Sequence, residues 1–322
     1  MGKKPVACTI EAPCKINLHL SIGERRHDGF HNLESLFAAL AFHDSLRFEC
    51  GGKDGDCSLE MTREGQVEDI PGEKNLVLRA VSLFREKTGF KSGLFIRLDK
   101  RVPVGAGLGG GSSDAASSLL ALNALAGDAL SMEELKELAV FLGSDVPFFL
   151  DRGTDEICPS AAFVSGRGEL VKPVKTPQGL WLLLVKPDFS SDTARAFQLL
   201  DKTRENTSCE GKTSLSALEK TPIDVIIKAL EGEPEAWPFY NDFLPVFLAS
   251  GDHQNAEKYR EILTGLKNAG ASFSGLSGAG SCCFGIFKVK ETAEKAEKEL
   301  GSSGNFVKLT FFLAQKTIPV LE

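Results

Sequence analysis

"RVPVGAGLGGGSSDAASSLLALNAL", residues 101–125, decides how the chain is read. Glycine stands at Gly105, Gly107, Gly109, Gly110 and Gly111, and then Ala115, Ala116, Leu119, Leu122 and Leu125 fall at helical spacing. Two readings compete. A glycine cluster can be a flexible linker. Alternatively, a strand–glycine loop–helix unit offers unpaired backbone N–H groups and the positive end of a helix dipole to an anion. Here "SGLFIRLDK" (92–100) leads in as a strand and a helix leads out, with Ser112, Ser113 or Asp114 available as its cap, which favours the anion loop. The lysine that ends a G-x-x-x-x-G-K-[ST] loop is missing. Gly105 to Gly110 satisfies G-x-G-x-x-G, but Asp128, the acidic residue at the required distance, falls in a turn, so the dinucleotide fingerprint is weak.

Upstream, residues 6–22 alternate. Val6, Cys8, Ile10, Ala12, Cys14, Ile16, Leu18, Leu20 and Ile22 share one parity, and Thr9, Glu11, Lys15, Asn17, His19 and Ser21 the other. This predicts a strand with one buried face, broken or bulged at Pro13. If the register holds past Pro13, Lys15, Asn17 and His19 point the same way. Residues 33–50 read as more strand, 51–72 as loops or a hairpin, and "NLVLRAVSLFREKTG" (75–89) as an amphipathic helix closed by Gly89. Ser131 and Glu134 form a capping box for a helix ending at Gly143. "LGSDVPFFL" then places Asp145 ahead of an apolar strand. In the second half, "LWLLLVKP" reads as a buried strand and "SSDTARAFQLL" as a helix start. Residues 200–236 are helical in parts, "AEKYREILTGLKNAG" is a helix, and "CCFGIF", "ETAEKAEKELG" and "FVKLTFFLA" read as strand, helix, strand. The fold class is α+β in two domains, 1–165 and 166–322.

Several polar residues have unremarkable explanations when taken singly. Lys15 and Asn17 fit the solvated face of an edge strand. Asp145 fits a turn before Pro147. "RHDGFHN" (26–32) fits a hairpin tip, and "GLSGAGSCCFGIF" (275–287) a tight turn. Together with the glycine loop they are the parts that phosphoryl transfer requires: a carboxylate to take a hydroxyl proton, a lysine to stabilise the resulting charge, and a helix start to hold the donor phosphates.

The chain has 322 residues, 42% hydrophobic and 25% charged, with a net charge of −7. That composition is globular, and the acidic balance argues against nucleic acid as the main partner. No apolar run reaches the roughly 20 residues needed to span a bilayer. The N-terminus lacks the apolar core of a secretory signal and a convincing acylation motif. The eight cysteines form no C-x-x-C pair and do not cluster with histidine. They read as reduced thiols in a cytoplasmic protein with no metal site of its own.

In order along the chain stand "APCKINLHL", "RRHDGFHNLESLF", "NLVLRA", "VPVGAGLGGGSSDAA", "LGSDVPFFL", "GRGE", "NDFLP" and "LSGAGS". This series, from residue 12 to about 287, resembles the GHMP kinases, and within them the branch acting on a cytidine diphosphate-linked methylerythritol in the non-mevalonate route to isoprenoid precursors. The resemblance implies a ribosomal-protein-S5-domain-2-like N-terminal unit, a ferredoxin-like C-terminal unit and an active site in the cleft between them. It implies ATP, with Mg²⁺, as phosphoryl donor, the substrate's 2-hydroxyl as acceptor, and a monomer or weak homodimer. By the same resemblance, Asp145 is the base and Lys15 the lysine beside it. Asn17 and His31 contact substrate, His31 at the cytosine edge, while Phe30 and Phe197 sandwich that base and Thr193 lies near the cytidine sugar and phosphates. Asn75 and Leu76 belong to the adenine pocket with Lys100 at its rim. Gly105, Gly107, Leu108, Gly109, Gly110, Gly111, Ser112 and Ser113 form the phosphate loop. The chain departs from the pattern at Phe30, where tyrosine is usual, at Cys14 for alanine, and at Asp114 for asparagine, where the charge could help hold Mg²⁺, repel the phosphates or cap the helix. The 151–168 stretch is longer than usual.

Overall fold

The computed structural model describes residues 6–68, 75–150, 160–209, 222–315 and 317–322. Two sheets organise it. The first has the order β12-β1-β2-β5-β3-β4, with β6 also on β2 and β7 on β6. Its strands are β1 (Ala7–Arg25), β2 (His31–Cys50), β3 (Cys57–Arg63), β4 (Gln66–Glu68), β5 (Leu94–Lys100), β6 (Ala161–Ser165), β7 (Leu170–Val174) and β12 (Val320–Leu321). β2 is long enough to pair with β5 through Ser45–Cys50 and with β6 through Ser35–Ala38. One face carries α1 (Leu76–Thr88), α2 (Gly110–Leu125), α3 (Met132–Leu142) and α4 (Val146–Leu150). The second sheet, β11-β8-β10-β9, is antiparallel, from β8 (Trp181–Lys186), β9 (Phe273–Leu276), β10 (Cys283–Phe287) and β11 (Phe306–Phe311). α5 (Thr193–Cys209), α6 (Ile223–Ala229), α7 (Phe243–Ala249) and α8 (His253–Asn268) lie between β8 and β9, and α9 (Lys290–Gly301) between β10 and β11. This is the split β-α-β order of the expected ferredoxin-like unit.

β8 is buried on both faces: Leu183 and Val185 pack with α5, α8 and α9, Leu182 and Leu184 toward the first sheet. This explains its unbroken apolar run.

The sequence expectations hold for α1, whose Gly89 cap is left-handed (φ 71°), and for the Ser131–Glu134 capping box. Four differ. The apolar segment after Asp145 is the short helix α4, not a strand. None of Ser112, Ser113 and Asp114 caps α2; its N-cap is Gly109, at φ 68°, with no side-chain bond. The boundary expected near residue 165 falls inside the β6–β7 hairpin, so the first sheet keeps both sides of it and takes back β12 as well. Part of the 151–168 stretch, residues 151–159, lies outside the described residues, as does 210–221.

The fourth difference positions the site. β1 does not keep its register. Cys8, Ile10 and Ala12 pack in the core beneath α1 and α2, whereas Cys14, Ile16 and Leu18 pack in the core shared with the second sheet. A register shift between Pro13 and Lys15 turns the strand over. Lys15 and Asn17, opposite Ala39 and Phe37, thereby come onto the helix-bearing face. A second shift between Asn17 and His19 separates His19 from them. Its ring packs edge-on against Tyr240 instead, 4.4 Å between centroids. From Lys15 on, the polar parity is therefore buried rather than solvated: Lys15, Asn17, His19 and Ser21 are all at most 3% exposed.

Candidate active site

A cleft of about 960 Å³ opens between the glycine loop, β1, the start of β2 and α5. Every site residue expected from the sequence lines it except Leu108 and Ser113, which are buried behind the loop.

At its floor, Lys15 Nζ lies 3.2 Å from Asp145 Oδ2 and donates to Asn17 Oδ1 at 2.6 Å. The ammonium also sits 4.3 Å from the centre of the Phe37 ring, a cation–π contact. Asn17 Nδ2 donates to Ser35 Oγ at 2.8 Å, which fixes the amide so that its oxygen faces the lysine. Asp145, at the turn into α4, keeps 29% of its side chain exposed to the cleft. A buried ammonium is thus held against a carboxylate that a ligand can reach.

The glycine loop is polarised by what its carbonyls touch. Gly105 O accepts from Ser191 N–H, Ala106 O from Cys282 N–H and Leu108 O from Lys15 N–H. Gly107 O accepts from Ser277 Oγ, which itself receives the Asn17 N–H, and Gly109 O accepts from Ser113 N–H. Five consecutive carbonyls are thus committed to the protein. Among the described residues no acceptor takes the N–H groups of Gly105 to Gly109, and those of the first turn of α2 are free by helix geometry. The loop therefore presents donors, and the dipole of α2 adds to them. Glycine is required at 107: φ is +73°, and a Cβ there would come within 2.1 Å of the Ser277 carbonyl. At 109, also at positive φ, a Cβ would meet the Lys15 side chain at 3.0 Å, so a bare Gly109 gives the lysine room to pass under the loop.

The second glycine segment, 275–287, is the loop's abutment. Asn241 of "NDFLP" clamps it, Nδ2 donating to the carbonyls of Leu276 and Gly278 at 2.8 and 2.9 Å. Asp192 caps α5, accepting from the N–H groups of Ala194 and Arg195, which places Thr193 at the cleft.

At the far end of the cleft, His31 stacks on Phe197, centroids 4.9 Å apart and planes 19° apart. Its Nε2 lies 2.8 Å from Asp201 Oδ1. Phe197 and Asp201 sit four apart on α5, so one helix face holds the histidine. Phe30 is half exposed and its ring faces the Arg167 guanidinium at 4.8 Å. Of the two phenylalanines expected to sandwich a base, Phe197 is stacked on His31 and Phe30 on Arg167. Sequence reading missed Asp201 and Arg167. Arg167 lies in the "GRGE" motif, but nothing local marks Asp201.

Asn75 caps α1, its Oδ1 accepting from Val77 N–H at 2.9 Å, which leaves its amide nitrogen for the cleft. Lys100 is not a rim residue. It is 5% exposed, and its Nζ bonds to Asp44 Oδ2 and, at 2.7 Å, to Asp114 Oδ2. Burial works against its charge, but the two carboxylates outweigh that and raise its pKa. Burial pushes the Asp114 carboxyl up, with Lys100 pulling the other way and Asp44 reinforcing the rise. Asp114 thus neither caps α2 nor opens to solvent; it is Lys100's partner.

Comparison with known proteins fits this geometry. Residues 75–153 match the GHMP kinases N terminal domain and residues 255–305 the GHMP kinases C terminal domain. A 4-diphosphocytidyl-2-C-methyl-D-erythritol kinase of Thermodesulfovibrio yellowstonii is 38% identical, over 90% of this chain and 93% of the relative. One of Burkholderia mallei is 37% identical, over 91% and 90%. A crystal structure of 4-(cytidine 5'-diphospho)-2C-methyl-D-erythritol kinase superposes with a TM-score of 0.71 at 31% identity, over 94% of this chain and 98% of that one. Homoserine kinase from Cytophaga hutchinsonii, at 17% identity and a TM-score of 0.66, shares the fold.

Proposed function

The chain belongs to the 4-diphosphocytidyl-2-C-methyl-D-erythritol kinases within the GHMP kinases, and from that premise we propose that it transfers the γ-phosphoryl group of ATP to the 2-hydroxyl of 4-diphosphocytidyl-2-C-methyl-D-erythritol, in the isoprenoid precursor pathway. The observation that carries the residue assignments is the pairing of an N–H-presenting loop with the Lys15–Asp145 pair in one cleft.

The N–H groups of Gly105 to Ser112 bind the triphosphate, and Asn75 and Leu76 border its adenine. The substrate lies along β1 toward His31, Phe30, Thr193 and Phe197, with its cytosine at the histidine. Asp145 takes the proton of the 2-hydroxyl as that oxygen attacks phosphorus. Lys15 stays charged beside both and stabilises the negative charge that moves from Asp145 to the acceptor oxygen. Asn17 keeps the ammonium in place. No covalent enzyme intermediate is required; positioning and charge stabilisation supply the catalysis.

Mg²⁺ enters with ATP. Among the described residues no three His, Cys, Asp or Glu side chains gather to hold a metal ion. Asp114 Oδ1, buried without a partner while Oδ2 holds Lys100, lines the cleft and is the side-chain oxygen fitted to take part. Bound there, the ion would neutralise phosphate charge. The N-terminal unit runs through β7 and recovers β12; the C-terminal unit runs from β8 to β11.

The test is ADP release with 4-diphosphocytidyl-2-C-methyl-D-erythritol, ATP and Mg²⁺, with homoserine and mevalonate as competing acceptors. ADP formation above the ATPase background that neither competitor suppresses is the expected result. No such release, or equal use of homoserine, defeats the assignment.

A further inference from the structure

Asp44 does not line the cleft. It sits on β2, far in sequence from the glycine loop, and is fully buried. Its Oδ1 accepts two consecutive backbone N–H groups, from Arg101 and, at 2.8 Å, from Val102. Its Oδ2 accepts from Lys100 Nζ, and that ammonium bonds onward to Asp114, the fifth residue of α2. The loop closes on the same carboxylate from its other end: a Cβ at Gly110 would meet Val102 Cγ1 at 3.0 Å and Asp44 Oδ2 at 3.4 Å.

These contacts lie at the neck of the loop, where β5 ends and α2 begins. Beyond the neck, the residues from Gly105 to Leu108 make their direct hydrogen bonds to β1, to the segment before α5 and to the second glycine segment. Among the described residues, the side chains of the first sheet that bond to the neck itself are Asp44 and Lys100. An ordinary surface carboxylate would make such bonds weakly, but here both partners are desolvated and the bonds are charge-assisted.

We propose that Asp44 is the positioning residue of the phosphate loop: it fixes the exit of β5 and, through Lys100 and Asp114, the start of α2, so that the loop N–H groups converge on the ATP phosphates. It touches neither substrate nor phosphate and acts only through the backbone. Lys100 serves the same neck as an internal cross-link; its ammonium is committed to two carboxylates. The proposal rests on reading the loop as the ATP cradle.

Asp44→Ala orphans two buried N–H groups and half of the Lys100 pairing. Asp44→Asn keeps an acceptor oxygen for the two N–H groups but loses the charge. Steady-state kinetics on the full chain with both substrates, and direct ATP binding by calorimetry, separate the cases. Wild-type protein that fails to bind ATP defeats the cradle reading itself. Given wild-type binding, Asp44→Ala should raise KM and Kd for ATP at least 20-fold. The KM for the cytidine substrate and kcat at saturating ATP should stay within about threefold. Asp44→Asn should give an intermediate, selective rise in KM for ATP of about two- to fivefold. The proposal is overturned if Asp44→Ala leaves ATP affinity unchanged, or lowers both affinities and kcat alike. Should Asp44→Ala not fold, Asp44→Asn decides: a selective rise in KM for ATP supports the role, and wild-type kinetics overturn it.

Discussion

Lys15→Met separates catalysis from binding in this cleft. Methionine fills the channel under Gly109 with a side chain of similar length and no charge, so the loop has no steric reason to move. The loss is electrostatic. At the 3.2 Å separation of Lys15 Nζ and Asp145 Oδ2, and an effective dielectric near 20, a unit-charge pair is worth about 5 kcal/mol. In the proposed reaction the negative charge leaves Asp145 with the arriving proton and reappears on the acceptor oxygen. The lysine's contribution to the barrier is the part of that interaction gained in the transition state. If roughly half is gained, the barrier rises by about 3 kcal/mol, or on the order of 100-fold in kcat at 1.36 kcal/mol per decade. The KM for ATP should stay within about threefold, because the triphosphate is held by backbone N–H groups. Stability responds differently. The variant no longer desolvates an ammonium that is 3% exposed, and it leaves Asn17 Oδ1 without its donor. The two effects oppose each other, so the melting temperature should move by only a few degrees. Coupled-enzyme kinetics with thermal unfolding measure all three quantities. A folded variant with kcat within threefold of wild type, or with its loss confined to the KM for ATP, refutes the assignment of Lys15 to the acceptor oxygen.

Asp145→Asn should keep ATP and substrate binding within a few-fold while kcat falls by 10²–10⁴, the range for loss of a positioned base; unchanged turnover removes Asp145 from that role. Gly107→Ala must move either the Ser277 carbonyl or the loop and also pays for a left-handed residue, so a destabilisation of about 2–4 kcal/mol and a tenfold or greater rise in KM for ATP are expected by denaturant titration and kinetics. Asp201→Ala removes the 2.8 Å partner of His31 and should raise the KM for the cytidine substrate roughly 10-fold with little change in kcat; an equal change in the KM for ATP would contradict the placing of His31. His19 titrates from 6.5 when exposed, and burial pushes it down to about 4 in the folded protein. The unfolded chain therefore binds the extra proton between these values. The stabilisation is complete above pH 6.5 and is lost as pH falls toward 4, by up to about 3 kcal/mol. The pH dependence of urea unfolding, compared with His19→Leu, measures this; identical slopes below pH 6.5 would show that His19 carries none of the acid sensitivity.

The elements were legible where one period governs a segment. α1, α8 and α9 carry one apolar stripe each, and β8 an unbroken apolar run, so their identity needed nothing beyond the local sequence. Where a local signal has two tertiary outcomes, the sequence misled. "VPFFL" is fully buried on all sides, and such a short apolar run carries no period to distinguish strand from helix. The parity of β1 was correct residue by residue, yet its faces exchange cores at Pro13, and only the pairing with β2 shows which face meets α2. The same holds at the site. Lys15, Asn17 and Asp145 announced themselves by residue type beside a motif. Asp44 and Asp201 did not, since each acts on residues 57 and 170 positions away through a carboxylate that looks ordinary in its own segment.

The missing lysine of the glycine loop follows from this arrangement. A lysine at the end of such a loop would add a mobile cation to the phosphate site. This chain instead draws positive potential from backbone N–H groups and fixes their direction by occupying the carbonyl of every residue from Gly105 to Gly109. Two lysines are then free for other work. Lys100, at the strand end, is neutralised by two carboxylates and holds the loop's neck. Lys15, brought across by the turn-over of β1, reaches under Gly109 to the acceptor side of the cleft. The division separates the two demands on positive charge. In the proposed reaction the donor end keeps a rigid field that need not change, and the acceptor end has a cation set 3.2 Å from the carboxylate whose charge it follows. A substitution at the loop should therefore act on ATP affinity and one at Lys15 on turnover. A single lysine serving both ends could not produce that separation.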